Sequence, residues 1–275
     1  MSITRNGGDL MKKAVFFDID GTLLDHFGGI VDITPNVKKA IRALQKEGHY
    51  VFISTGRPYA FLSKNILDFG FDGFILANGA HVIINNETIH SDHIESEFIN
   101  NLANELDELN IQYILEGEYY SYMNKKFKEF YDFYDSVGVS KDLIKDEFSL
   151  DEIKTFKIEM MCPNDDVAKS CLEIVQRNKD YDYVNSIAIK SFELYSKKNT
   201  KATGIIKVLE YLDISIENSY AFGDGKNDIE MLSTVGCGIA MGNADDEVKK
   251  YAHKITDEVQ KDGVATGIEK YILKL

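Results

Sequence analysis

The chain has 275 residues, of which 44% are hydrophobic and 28% charged, a composition that excludes disorder and fibrous structure and gives length for one large domain plus a smaller satellite. Its formal net charge of −14 opposes binding to polyanions, because nucleic acids are held by clustered Lys and Arg that displace counterions; DNA, RNA and anionic membrane surfaces are therefore not expected as partners. Cys162, Cys171 and Cys237 make neither a disulfide framework nor a zinc-ligand spacing, which suits a reducing cytoplasm.

Residues 1–10 are polar with Gly7 and Gly8 and read as a loose leader, with Met11 placed to be a start itself. The apolar run 14–17 stops at Asp18, too short for a signal-peptide core or a membrane span. After it, a helical pattern at 36–46, an apolar run at 50–53, a second helical pattern at 60–68 and an apolar run at 73–77 spell β-α-β-α-β. Thr34-Pro35 and Arg57-Pro58 mark helix starts, since Pro is tolerated in a first turn.

Residues 82–90 alternate around Asn85-Asn86 like a hairpin, and strands at 111–115 and 155–161 are interspersed with helices. The aromatic-rich stretch 116–134 reads as core packing. The βα style then returns with a helix at 201–211, a strand at 219–222, a helix at 228–234 and a strand at 237–240. Continuous apolar strands separated by helices predict an α/β protein with a Rossmann-like, doubly wound parallel sheet, formed by residues 1–81 and 195–275. Residues 82–194 form an inserted α+β domain in this reading.

Four strand ends carry polar residues suited to phosphate and metal chemistry. Asp18 and Asp20 stand two apart at the end of an apolar strand, so both aim at one point where open parallel sheets bind ligands. Two carboxylates this close call for a cation, and an oxygen-only shell suits Mg²⁺; for the pair alone, a turn or helix cap is the competing reading. Thr55-Gly56-Arg57-Pro58 ends the next strand with a hydroxyl donor, a glycine that lets the backbone N–H approach an anion, and a helix start. Lys201 begins a helix, and Gly223-Asp224-Gly225-Lys226-Asn227-Asp228 follows a strand as an acceptor-rich turn without the spacing of a calcium-binding EF-hand.

In this order, Asp18-Ile19-Asp20-Gly21-Thr22, Thr55-Gly56-Arg57, Lys201 and Gly223-Asp224-Gly225-Lys226-Asn227-Asp228 resemble the four motifs of the haloacid dehalogenase superfamily. Asn78-Gly79-Ala80 and Gly263-Val264-Ala265 extend the resemblance to its Cof-type branch of sugar-phosphate phosphatases. The resemblance implies a Mg²⁺-dependent phosphomonoester hydrolase acting on a small phosphorylated metabolite through an aspartyl-phosphate intermediate. It makes Asp18 the nucleophile and Asp20 the general acid/base, with Mg²⁺ held by Asp18, Asp20 through its carbonyl, and Asp224. Thr55, Gly56, Lys201 and Asn227 then bind the phosphate, and Asp228 supports the metal or Lys201. Arg57 is either a substrate contact or a surface ion pair.

The span between Asp18 and Thr55 holds a flap and one helix, so the cap falls after the third strand, which in the family is the larger cap type that closes over the site. Within it, the loops at 116–123 and 190–197 are candidates for substrate contact. His90 and His93 have a ligand-like spacing but no third partner in sequence and read as surface residues. A phosphosugar mutase and a non-catalytic ligand-binding protein of the same fold are the alternative functions, and the chain is expected to be a monomer or homodimer.

Overall fold

The computed structural model describes residues 12–136, 139–186 and 190–274; the expected leader at residues 1–10, with Met11, lies outside the described residues. In chain order the strands are β1 (Ala14–Phe17), β2 (Tyr50–Ser54), β3 (Gly73–Leu76), β4 (His81–Ile84), β5 (Glu87–Ser91), β6 (Gln112–Glu116) and β7 (Ser121–Tyr122). They continue with β8 (Ile144–Lys145), β9 (Lys157–Met161), β10 (Tyr181–Ser186), β11 (Ser191–Ser196), β12 (Ser219–Gly223), β13 (Cys237–Ala240) and β14 (Lys254–Ile255). The chain divides into two compact units, Met1–Phe52 with Leu209–Leu275, and Ile53–Val208.

In the first unit β1 pairs in parallel with β12, β12 with β13, and β13 with β14. Every residue of β1 is buried, as expected of a strand covered on both faces. Helix α1 (Pro35–Lys46) starts as its sequence predicts, with Pro35 in the first turn and the Thr34 side chain accepting from Val37 N. Val37, Ala40, Ile41 and Leu44 form its buried stripe, at the spacing that places residues on one helical face. The strand order in this unit is β14-β13-β12-β1-β2.

In the second unit β3, β4 and β5 are successively antiparallel. Asn85 and Asn86 have φ of 50° and 65°, so they make the two-residue turn whose twist suits a hairpin, which is why this pair was legible as one. The hairpin falls within residues 82–194 yet is paired to β3. The helix expected at 60–68 is broken: a single turn at Tyr59–Phe61 is followed by α2 (Lys64–Asp68), because Ser63 caps a new start by accepting from Ile66 N.

The six other strands form a separate sheet in the order β10-β11-β9-β6-β7-β8, with α3 (Ser96–Glu108), α4 (Lys128–Ser136) and α5 (Asp165–Arg177) in the same unit. Asn164 caps α5 by accepting from Asp166 N and Val167 N. Phe127, Phe130 and Tyr134 belong to its buried core, as the packing reading of the aromatic stretch expects.

Candidate active site

The first unit gathers the acidic residues. Asp18 N donates to Phe222 O at 3.0 Å, so the ladder of β1 and β12 carries on past β1 and sets Asp18 beside the end of the neighbouring strand. Asp224 directly follows β12, and Asp228 closes the turn after it. Carboxylate oxygens of Asp18, Asp224 and Asp228 lie within 4.8 Å of one another, the single such acidic group found among the described residues. Asp18 is 5% exposed and Asp228 fully buried. Three carboxylates this close offer an all-oxygen donor set of the kind that fits a hard ion such as Mg²⁺.

The loops that hold this group are tied by named bonds. Asp228 Oδ2 accepts from Asp224 N and Gly225 N at 3.0 and 2.9 Å, which locks the acidic turn. Thr22 Oγ1 donates to Asp224 Oδ1 at 2.9 Å, linking the loop after β1 to the turn after β12. Between them Gly21 has φ +82°, and a Cβ there would stand 2.0 Å from Asp224 Oδ2; only glycine admits both the backbone angle and the approach. Asn243 bridges a third segment, donating from Nδ2 to Gly21 O and accepting at Oδ1 from Val259 N, each at 2.9 Å. Asp20 is exposed and its carboxylate is not part of the acidic group; Asn227 is exposed as well.

The second unit arranges the other strand end. Thr55, 1% exposed, follows β2 and bonds through its N–H to Ile75 O at 2.9 Å. Its Oγ1 accepts from Arg57 N at 3.2 Å and its carbonyl from Asn78 N at 3.1 Å, while Arg57 O accepts from Ala77 N at 3.1 Å. The Thr55-Gly56-Arg57 turn is thus strapped to the Ala77-Asn78-Gly79 turn, whose three residues all have positive φ. The Arg57 guanidinium donates from Nη1 to Phe61 O at 3.1 Å.

That second turn in turn seats α6 (Lys201–Leu212). A Cβ on Gly79, φ +97°, would lie 2.2 Å from Thr200 O. Thr200 and Thr203 exchange side-chain-to-backbone bonds of 3.2 and 3.0 Å, a reciprocal cap that fixes the helix entry at Lys201. Lys201 is 1% exposed, and an ammonium buried to that degree demands an anion.

Sequence reasoning assigned no role to Thr22, Thr200, Thr203 or Asn243. The two helix-entry threonines carried a readable signal, a hydroxyl residue three positions before another at a helix start; the other two contacts span more than two hundred residues and have no local signature. His90 and His93 are not in the acidic group, and His93 is exposed.

Comparison with known proteins identifies the family. The family profile of haloacid dehalogenase-like hydrolases matches residues 15–268. YkrA of Bacillus subtilis (strain 168) is 33% identical over 262 residues, covering 94% of this chain and 97% of that one. The 5-amino-6-(5-phospho-D-ribitylamino)uracil phosphatase YcsE of the same organism is 31% identical over 280 residues, 99% of this chain and 100% of YcsE. The solved structure of the HAD subclass IIB sugar phosphatase BT4131 matches with a TM-score of 0.78 at 26% identity, over 96% of this chain and 100% of that chain.

Proposed function

Because this chain belongs to the haloacid dehalogenase-like hydrolase family and is a phosphatase of that family, we propose that it hydrolyses a small phosphorylated metabolite, a sugar phosphate, through an aspartyl-phosphate on Asp18 with Mg²⁺ as its metal. The observation that carries the reading is the convergence of Asp18, Asp224 and Asp228 where two adjacent parallel strands end. The names of YcsE and BT4131, a phospho-ribitylamino-uracil phosphatase and a sugar phosphatase, support a polyhydroxylated substrate.

In this mechanism the Asp18 carboxylate attacks phosphorus in line, and the bond to the leaving oxygen breaks as Asp20 delivers a proton to it. Asp20, now ionised, takes a proton from water; the water oxygen attacks phosphorus and releases Asp18 and inorganic phosphate. The Thr55 hydroxyl, the Gly56 N–H, the Lys201 ammonium and the Asn227 amide donate to the phosphoryl oxygens, and Arg57 contacts the organic part. Asp18, Asp224 and the Asp20 carbonyl would hold Mg²⁺, with Asp228 beside them, and when bound the ion neutralises charge on the phosphoryl oxygens.

A cytoplasmic location accords with three free cysteines, and no helix among the described residues is long and apolar enough to cross a membrane. The test is release of inorganic phosphate from a panel of phosphorylated metabolites, with Mg²⁺ and with a chelator. Turnover should require Mg²⁺ and vanish in Asp18→Asn with the fold retained; unchanged hydrolysis by that variant would overturn the mechanism. Phosphate moved between hydroxyls without release would identify a mutase instead.

A further inference from the structure

The chain leaves β5 and comes back into α6 at neighbouring points of the second unit, and one side-chain bond joins the two. Asp92 is the first residue after β5, and Asn199 stands two residues before the start of α6. Asn199 Nδ2 donates to Asp92 Oδ2 at 3.0 Å, across 107 positions of sequence. Asn199 is 7% exposed and Asp92 half-buried, so little water competes for the bond, and a carboxylate acceptor makes it one of the stronger kind.

Both ends of this bond are anchored to groups already placed. Asp92 N donates to Ala80 O at 2.9 Å, which fixes the residue to the end of the Ala77-Asn78-Gly79 turn. That turn is strapped to Thr55, whose carbonyl accepts from Asn78 N. At the other end, Asn199 directly precedes Thr200, whose carbonyl lies against Gly79 and whose hydroxyl accepts from Thr203 N at the helix entry. Thr200 O also accepts from Gly204 N at 3.1 Å in the first turn of α6. Hydrogen bonds and adjacent residues thus run without a break from Thr55 through Asn78, Ala80, Asp92 and Asn199 to Lys201.

This route adds what packing lacks. The close approach of Gly79 to Thr200 O limits how near the turn and the helix entry come, whereas a hydrogen bond also fixes direction. Groups that must meet the oxygens of one phosphoryl group need both restraints, since a misplacement of about 1 Å can cost roughly a hundredfold in rate.

We propose that Asp92 and Asn199 are positioning residues of the phosphatase reaction: their bond holds the entry of α6 so that the Lys201 ammonium keeps a fixed place relative to the Thr55 hydroxyl. The bond stands on its own geometry; only what Lys201 and Thr55 bind rests on the phosphatase reading. Asp92 and Asn199 act through Lys201 and touch no substrate themselves.

The test exchanges the two side chains. Asn199→Asp sets two carboxylates against each other, and Asp92→Asn combined with Asn199→Asp restores one donor and one acceptor with the roles reversed. With p-nitrophenyl phosphate as substrate, Asn199→Asp should lower kcat/KM about tenfold or more and weaken inhibition by inorganic phosphate by a similar factor. The double variant should return both to within about threefold of wild type. Asn199→Ala, which brings in no repulsion, serves where facing carboxylates prevent folding, and should lower kcat/KM about fivefold. A role in stability alone would shift the urea midpoint and leave kcat/KM of the folded variants within about twofold of wild type. That result, or a folded double variant that restores nothing, overturns the proposal. If the wild type releases phosphate neither from the aryl phosphate nor from the metabolite panel, the phosphatase reading has failed separately. Amide exchange then decides the clamp: the Gly204 N–H should exchange about tenfold or more faster in Asn199→Ala, and an unchanged rate would rule it out.

Discussion

The hydroxyl of Thr22 donates to Asp224 Oδ1 at 2.9 Å, so a residue of the first acidic loop aims the carboxylate of the second. Thr22→Val keeps the shape and removes the donor. It should lower kcat/KM about tenfold and raise the Mg²⁺ concentration needed for half-maximal activity, because a freed carboxylate no longer presents one fixed oxygen. Thr22→Ser should restore both, and a chemical denaturation curve should scarcely move.

Asn243 ties Gly21 O to Val259 N with one side chain. Asn243→Asp turns the donating amide into a carboxylate against a carbonyl, so it should reduce kcat more than Asn243→Ala does. Since the loop it holds carries Asp20, the loss should fall on kcat and leave KM within about twofold. Steady-state kinetics on one substrate checks this.

Gly79 and Gly48 make a controlled pair. Both have positive φ, +97° and +82°, but a Cβ at Gly48 meets nothing within 4 Å, whereas at Gly79 it runs into Thr200 O at 2.2 Å. Gly48→Ala should cost about 1 kcal/mol, the conformational term alone. Gly79→Ala must also displace the entry of α6 and should cost roughly 2–4 kcal/mol, with activity falling further because Lys201 moves. Urea titration measures the difference.

His81 is 1% exposed, and burial lowers its pKa to about 4, with Glu118 opposing and Lys154 and His90 adding. The unfolded chain therefore takes up a proton near 6.5 that the folded chain refuses until about 4. Stability is full above the unfolded value and is lost as pH falls through this window, by up to about 3 kcal/mol. Glu116, raised to about 7, acts with the opposite sign over an overlapping range. The comparison of wild type with His81→Gln isolates the histidine: the variant should lose less stability between pH 6.5 and 4, measured by denaturant midpoint.

The acidic strand ends were legible because a strand buried on both faces is a continuous apolar run, so the point where Phe17 gives way to Asp18, or Gly223 to Asp224, marks the sheet edge. Asn85-Asn86 showed the hairpin because asparagine tolerates left-handed backbone, but nothing local says which strand a hairpin joins. Ser63 broke the helix expected over 60–68 because its cap competes with the helical pattern that runs through it. Glu116, Lys157 and Glu193 lie in separate segments, each looking like a strand with one polar side, and only register brings them onto one sheet face.

The pairing of β1 with β12 also sets a schedule for the chain. A nascent polypeptide that has passed β11 holds Thr55 and the entire second sheet, yet β1 still lacks β12, and the acidic group of Asp18, Asp224 and Asp228 cannot assemble until residue 228 has been made. Contacts of such high sequence separation close slowly, because the loop entropy is lost before they reward it. Assembly of the acidic group thus waits on the C-terminal third of the chain.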